Sequence, residues 1–513
     1  MSESRKHSYG QILKSSALIG GSSAINLAIG ALRTKIMATI LGPAGIGLLG
    51  LYGSVTDLTR SVAGMGINSS GVRQIAEAVG SGDEERIART VTALRRVAFC
   101  TGILGALLLL ALCKPASWLT FGDFNHTCAI ACLAIAVFFG DISGGQSALV
   151  QGMRRIADLA KMNVLGALFG TIFSVCIVYF FYRRGEAERG VVPSLICVAG
   201  MSILISWWYA RKIQVRRVTL TLRQIADEAD SLLKMGVVFM ASGLMTLGMG
   251  YLIPVMVSHK FGREAAGCYF AAWYLGNYYV SFILQAMGAD FYPRLTAVAS
   301  DHQECNRLVN EQVEVGLLLA GPGLLATLTF APLVIQIFYS SQFAPAAEIL
   351  RWFCLGMMMR VASWPMAYVL VSRGERKLYF FTEFLGNGVF VFFVWAGLNI
   401  FGLKGSGIAF FSMYVAYGLI VYFIVRRLIG FRWLAANRRL ALIFLPAVTL
   451  VFVSRYFLPN LAAIAVGTLL TVVVGIYSLK MLCTLVPLER FPGPARKMIL
   501  FFKLASPDIN HPI

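Results

Sequence analysis

The side chains best placed to do chemistry are the few charged ones set inside long apolar runs. An ionisable group in such a run is costly to bury and marks a functional site by default. The densest case lies between Gly47 and Asn68. Gly47, Gly50, Gly53, Asp57, Arg60, Gly64 and Asn68 follow one another at steps of three or four, a spacing that puts all seven on one face of a helix. Small residues on a face allow close helix packing, but a carboxylate and a guanidinium three residues apart ask for more. Either Asp57 and Arg60 form a structural ion pair, or the face lines a hydrated cavity. A second run carries Asn277, Ser281 and Gln285 at steps of four, among Tyr269, Phe270, Trp273, Tyr274, Tyr278 and Tyr279. Hydrogen-bonding groups between aromatic rings are what a sugar meets in a binding site, although aromatics also gather at membrane interfaces.

Further along, Arg351 and Arg360 stand nine residues apart, which places them on opposite faces of a helix. Arg351, near the end of its run, can snorkel to the interface, leaving Arg360 as the inward cation. Arg33 and Lys35 close the first apolar run, as interfacial anchors or as cations for an anionic ligand. Asp141, beside Gly140, Gly144 and Gly145, and Glu383, four residues before Asn387, join Asp57 as carboxylates able to take up a proton or Na⁺. Either one can instead pair with a neighbouring arginine. Metal and redox chemistry find no support. The five histidines (His7, His126, His259, His302, His511) fall in loops, tails or helix ends. The ten cysteines include no C-x-x-C, and Cys128 and Cys132 read as apolar filler. There is no G-x-x-x-x-G-K-[ST] phosphate loop, so no nucleotide or other cofactor is expected.

These residues need elements to hold them, and composition says what kind. The chain has 513 residues, 58% hydrophobic and 14% charged, with a mean hydropathy of +0.72. A soluble domain averages about 45–50% apolar and about 25% charged residues, so a disordered protein and a soluble enzyme with a polar cleft are both excluded. A membrane-crossing helix needs about 20 apolar residues. Spans are predicted at 14–34, 46–70, 92–113, 126–150, 160–182, 190–210, 234–258, 264–289, 308–339, 346–371, 378–400, 405–425, 437–457 and 461–485. The first is read as an uncleaved helix rather than a signal peptide, since no small-x-small cleavage site follows it. The expected fold is an all-α integral membrane protein of about 14 transmembrane helices.

A net charge of +20 would ordinarily suggest an acidic partner such as nucleic acid. In a membrane protein, basic residues instead crowd the cytoplasmic loops. With the N-terminus inside, 32 of the 45 Lys and Arg residues fall on the cytoplasmic side and 8 on the other. Both termini are therefore expected in the cytoplasm, with no nucleic-acid role. The remaining five, Arg33, Lys35, Arg60, Arg351 and Arg360, lie within or at the ends of spans.

An internal repeat organises the spans. Leu41–Gly47, L-G-P-A-G-I-G, matches Phe261–Gly267, F-G-R-E-A-A-G, about 220 residues later, and Gly64–Asn68 matches Ala286–Asp290. Each copy lies on the second helix of a set of six. A repeat offset by six spans enters the membrane in the same direction twice, which relates the halves by an axis along the membrane normal, as in some secondary transporters. The predicted organisation is a six-helix lobe over 1–222, a second over 223–433 in pseudo-twofold relation, and over 434–513 two extra helices with a cytoplasmic tail. The basic segment Arg211–Lys234 between the lobes reads as an amphipathic stretch on the anionic inner leaflet, or as a plain tether.

The runs Leu32–Tyr52 and Gly64–Ala78 resemble the Wzx-type O-antigen and polysaccharide flippases of the multidrug/oligosaccharidyl-lipid/polysaccharide exporter superfamily. The resemblance implies two six-helix lobes around a V-shaped cavity open to one side at a time, in the bacterial inner membrane. It implies transport, not enzymology: an undecaprenyl-diphosphate-linked oligosaccharide moved from the inner to the outer leaflet. The cationic character of such cavities is carried over to Arg33, Lys35, Arg60 and Arg360, since guanidinium binds phosphate bidentately. Trp273, Asn277, Ser281 and Gln285 are the expected sugar-lining set. Asp57, Asp141 and Glu383 are the expected sites for coupling to H⁺ or Na⁺. Expected partners are the lipid-linked glycan, inner-membrane lipids, and the polymerase and chain-length proteins of the same pathway. The competing readings are an ion-coupled drug or metabolite antiporter, which favours acidic cavity residues, and a lipid II flippase. A glycosyltransferase or ligase would need a large extracytoplasmic loop or a D-x-D-like site, and neither is visible.

Overall fold

A computed structural model of the chain describes residues 3–215, 218 and 222–485. Arg216 and Arg217 of the basic linker, and the basic tail with Arg490, Arg496, Lys497 and Lys503, lie outside the described residues. Among those described there is no strand, and the helices run in order α1 (Glu3–Ala63), α2 (Ile67–Ser81), α3 (Glu84–Phe121), α4 (Thr127–Gly152), α5 (Ile156–Arg183), α6 (Val191–Ala210) and α7 (Leu222–Ala297). They continue as α8 (His302–Thr329), α9 (Ala331–Phe338), α10 (Ala346–Ser372), α11 (Arg376–Phe401), α12 (Gly405–Ile429), α13 (Ala435–Phe457) and α14 (Asn460–Leu485).

Two of these elements are double. α1 breaks at Gly42, with φ 64° and ψ −173°, and α7 breaks at Gly262, with φ 85° and ψ 174°. A positive φ of this kind is open to glycine and strained for other residues. Gly42 and Gly262 are the second residues of the two copies of the repeat, so a weak sequence match carries a shared backbone. The correspondence recurs elsewhere at nearly the same offset. Asp83 caps α3 by accepting from the amides of Glu85 and Arg86, and Asp301 caps α8 by accepting from those of Gln303 and Glu304. The turn after α4 has Arg154 N bonded to Gln151 O and Arg155 N to Val150 O; the turn after α10 has Gly374 N bonded to Val371 O and Glu375 N to Leu370 O. Arg154 holds a left-handed φ of 55° where Gly374 has 73°. Counting both arms of α1 and α7 and setting aside the short α2 and α9, the described helices number fourteen. Among the described residues, ten stretches are long and apolar enough to cross a membrane, two of which, Gly21–Ala63 and Arg376–Ile429, each contain two helices.

Three predicted elements differ. The span over 46–70 stops at Ala63, because Met65 and Gly66 turn the chain with φ 43° and 66°. Asn68 therefore begins a new helix, α2, and does not share a helix with Asp57 and Arg60. The span over 308–339 stops at Thr329 and resumes as the eight-residue α9. The helical half of the basic linker, from Leu222, runs without interruption into the first arm of α7, so it extends a span rather than lying as a separate surface segment.

The chain forms two compact units. One runs to Phe270 and takes in Ile337–Phe343; the other holds Ala271–Gln336 and resumes at Ala344. The first has a core around Ile75, Leu94, Leu149 and Tyr209, the second around Leu295, Val309, Val369 and Phe431. Large apolar side chains also lie fully outside, among them Leu442 at 76%, Phe457 at 82% and Leu461 at 84% exposure, a surface suited to hydrocarbon rather than water. In the second unit, α13 and α14 pack on α8. Asn437 Nδ2 donates to Asn310 O at 2.8 Å and to Asn310 Oδ1 at 2.9 Å, while Leu434 N also donates to Asn310 Oδ1 at 2.9 Å. A buried side-chain amide thus satisfies the start of α13 and pins the terminal pair to the bundle.

Candidate functional site

In the first unit, the second arm of α1 delivers Arg60 to α4. The guanidinium Nη2 donates to the carbonyl of Gly140 at 2.8 Å, and Nε lies 3.5 Å from Asp141 Oδ1. The Arg60 side chain is 33% exposed and that of Asp141 5%. Neither Arg60 Nε nor Asp141 Oδ2 has a hydrogen-bond partner among the described residues, so the pair is held by charge more than by hydrogen bonding. The glycines of α4 explain the approach. A Cβ on Gly140 would overlap Arg60 Nε and Cζ, and one on Gly144 would overlap the Asn68 amide. Asp57 is exposed and makes no ion pair within 4 Å among the described residues. The partner of Arg60 is therefore the carboxylate 81 residues away in sequence and not the one three residues away.

The second unit gathers a different set. Arg360 on α10 is half-buried and donates from Nη1 to Asn277 Oδ1 at 2.7 Å. Ser281 Oγ donates to the same oxygen at 2.8 Å, and the Met357 sulfur lies 3.8 Å from Nη1. No carboxylate lies within 4 Å of Arg360 among the described residues. Glu383 on α11 instead accepts from Tyr417 Oη on α12 at 2.6 Å. Counted from the kink glycines, Asn277 occupies in the second copy the place of Asp57 in the first; counted from the turns after α4 and α10, Arg360 occupies the place of Gly140. The same two helices meet through an arginine in each unit, with donor and acceptor exchanged.

The other predicted residues are dispersed. Trp273 packs edge-on against Phe353 and Phe410, with centroids 5.7 and 5.6 Å away, as part of the aromatic core of the second unit. Gln285 is exposed two turns beyond Asn277. Lys35 Nζ donates to the Tyr339 carbonyl at 2.5 Å, and Arg33 lies half-buried half a turn before it. Arg351 pairs with Glu348 at 3.1 Å, and Glu348 also pairs with Arg455, so this charge ties α10 to α13. Sequence reasoning missed Tyr417 and the Gly140 carbonyl. Nothing in a single sequence singles out a backbone oxygen, but a tyrosine in an apolar run whose hydroxyl needs a partner is a usable signal.

Comparisons with known proteins agree with this architecture. A model of the family described as "Polysaccharide biosynthesis protein" matches residues 36–348. The lipid III flippases of Escherichia coli (strain K12) and Shigella flexneri are each 19% identical over 420 residues, covering 79% of this chain and 96% of the relative. An inward-facing multidrug resistance transporter of the MATE family, in the MOP superfamily, has a TM-score of 0.66 at 15% identity, covering 80% of this chain and 96% of that one. The lipid II flippase MurJ, in an inward closed conformation, has a TM-score of 0.62 at 13% identity, covering 92% and 99%. At such identities the solved structures speak to fold, and the family match speaks to kinship. The chain therefore belongs to the polysaccharide biosynthesis protein family, as a multi-pass membrane protein with the fold of the MOP-superfamily transporters.

Proposed function

We propose that the protein is a flippase that moves a polyprenyl-diphosphate-linked oligosaccharide, an O-antigen or exopolysaccharide repeat unit, across the bacterial inner membrane by alternating access. Both termini are then cytoplasmic, as the distribution of basic residues asks. The observation that carries the reading is Arg360: a half-buried guanidinium whose described hydrogen-bond partners are neutral, Asn277 and the Met357 sulfur. A cation kept inside helices without a carboxylate is suited to an anionic ligand brought from outside, and a diphosphate offers two oxygens to the guanidinium fork. Membership of the polysaccharide biosynthesis family and similarity to lipid III flippases support a lipid-linked glycan as that ligand. Arg60, Arg33 and Lys35 form the rest of the proposed cationic set. Asn277 and Ser281 present polar atoms beside Arg360 for the sugar or its phosphate.

Asp57, Asp141 and Glu383 are the proposed sites through which H⁺ or Na⁺ resets the transporter. Asp57 is the freest of these, with no hydrogen bond or ion pair among the described residues. Polymerase and chain-length proteins are the proposed downstream partners.

The test uses cells deleted for the gene and complemented with variants, with surface polysaccharide read on gels and protein level read in membranes. Losing a hydrogen bond to a charged group removes about 1.5–3 kcal/mol, so Arg360→Ala is expected to lower polymer display roughly ten- to hundredfold at normal protein level. Arg60→Ala, whose charge is already partly compensated, is expected to lower it less. Normal display from both variants rejects the cationic site. For coupling, flipping in vesicles is expected to slow when the proton and sodium gradients are collapsed, and an unchanged rate rejects ion coupling.

A further inference from the structure

The first unit carries a groove of about 500 Å³ between α4 and α6, within the roughly 300–1,000 Å³ typical of small-ligand sites. Its walls are Phe139 and Ile142 from α4 and Gly200, Ile203, Leu204 and Trp207 from α6. The one polar lining side chain, Gln146, has its oxygen occupied by Ser206 Oγ at 2.5 Å. Leu204 and Trp207 are more than half exposed, so the groove is open along one side. Gly200 to Trp207 spans seven residues, about 10 Å of helix, and the α4 wall from Phe139 to Gln146 matches it in length.

One end of this apolar groove is basic. Arg211 continues the face of Gly200, Leu204 and Trp207 by one more turn. Its Cζ lies 4.9 Å from the Trp207 ring and 3.7 Å from that of Trp208. Lys212 Nζ lies 4.3 Å from the Tyr209 ring, and Arg155 Nη1 reaches the Lys212 carbonyl at 3.5 Å. Arg155 is partly neutralised by Asp158, 3.6 Å away. Arg211 and Lys212 have no carboxylate within 4 Å among the described residues. They begin the basic linker, which the charge distribution places at the cytoplasmic leaflet, the one that carries anionic lipid.

We propose that this groove is a binding site for an anionic glycerophospholipid, with an acyl chain along Gly200–Trp207 and the phosphate at Arg211 and Lys212. An apolar slot ending in tryptophan rings and in cations that have no carboxylate partner among the described residues matches both halves of such a lipid: the rings sit at headgroup level and the cations meet the phosphate. The site is separate from Arg60 and Arg360 and holds whatever the transported substrate is.

The experiment uses the purified full-length protein in detergent micelles doped with phosphatidylglycerol or phosphatidylethanolamine, and counts retained lipids by native mass spectrometry. Wild type is expected to retain phosphatidylglycerol with up to about thirtyfold preference, the scale set by two juxtamembrane cations. The double variant Arg211→Ala/Lys212→Ala, at an exposed helix end, is expected to bring the two lipids near parity without changing thermal unfolding. Gly200→Leu is expected to lower retention of both lipids by a similar factor, since a Cβ there meets only Phe139, at 4.0 Å, and the side chain fills the slot. Equal retention by wild type, or a preference that survives the double variant, overturns the proposal. So does displacement of phosphatidylglycerol by an equimolar amount of undecaprenyl phosphate, which assigns the groove to an isoprenoid tail.

Discussion

The two units solve one problem in opposite ways. In the first, the second arm of α1 supplies Arg60, and α4 receives it with the Gly140 carbonyl and the Asp141 carboxylate. In the second, the helix equivalent to α4 supplies Arg360, and the helix equivalent to that arm receives it with the Asn277 amide. Because Arg360 stands where Gly140 stands, and Asn277 where Asp57 stands, the repeat has kept the meeting of helices and exchanged the chemistry. The electrostatic result differs. Arg60 has a carboxylate at 3.5 Å; among the described residues, Arg360 has only uncharged acceptors. A buried or half-buried charge pair spends much of its attraction on desolvation, yet it still lowers the field offered to an incoming anion. The first unit thus holds the partly quenched cation and the second the one without a charged partner among the described residues, which ranks them as phosphate ligands under the proposed function.

The largest predicted way to erase that contrast is Asn277→Asp. It places a carboxylate where the amide oxygen accepts from Arg360 and gives the second unit the pairing of the first. Affinity for a polyprenyl diphosphate, measured by its quenching of intrinsic tryptophan fluorescence, is expected to fall about tenfold, equivalent to about 1.4 kcal/mol. Asn277→Ala removes the acceptor without adding charge and is expected to do less. If the aspartate and alanine variants bind equally, the charge of the Arg360 site is irrelevant and the ranking fails.

The converse change is smaller. Asp141→Asn keeps the shape of the side chain and releases Arg60 from its ion pair. Asp141 is buried but Arg60 is one-third exposed and screened by solvent; exposed pairs contribute about 0.2–1 kcal/mol, and on that scale affinity for the same lipid is expected to rise only about 1.4- to fivefold, with the effect abolished in an Arg60→Ala background. A drop in affinity on Asp141→Asn would mean that the carboxylate positions Arg60 rather than quenches it.

How much of this the sequence discloses varies by scale. The number and order of the spans follow from apolar runs, and the repeat marks Gly42 and Gly262 as equivalent positions, while their kinks show only in the backbone. Arg60 and Arg360 stand out by residue type in an apolar setting. Their partners do not. Spacing leaves Asp57, three residues from Arg60, open as its ion-pair partner, but α4 brings a carbonyl and the Asp141 carboxylate to the guanidinium, and tertiary packing decides. Likewise Asn68 shares the small-residue spacing of Asp57 and Arg60, and only the left-handed turn at Met65 and Gly66 removes it to another helix. Trp273, which by type suits sugar stacking, is drawn into the core by Phe353 and Phe410, aromatics about 80 and 140 residues later in the chain.

The finest test of the comparison leaves every charge in place. Gly140→Ala puts a methyl group where the Arg60 guanidinium lies. The obstructing atoms are the far end of a flexible side chain, so the arginine moves and the helix stays. Alanine in a helix gains about 0.5–1 kcal/mol over glycine, while the lost hydrogen bond to the Gly140 carbonyl forfeits about 1.5–3 kcal/mol at most, less for a group one-third exposed. The net destabilisation is therefore expected to be about 1 kcal/mol, a fall of roughly 2–4 °C in the melting of the first unit, read by differential scanning fluorimetry. Polymer display is expected to drop by less than in Arg60→Ala, because the cation persists and only its position shifts. Should Gly140→Ala prove as damaging as Arg60→Ala at equal protein level, the contribution of the first unit rests on where the charge is held. The two units would then differ in geometry more than in quenching.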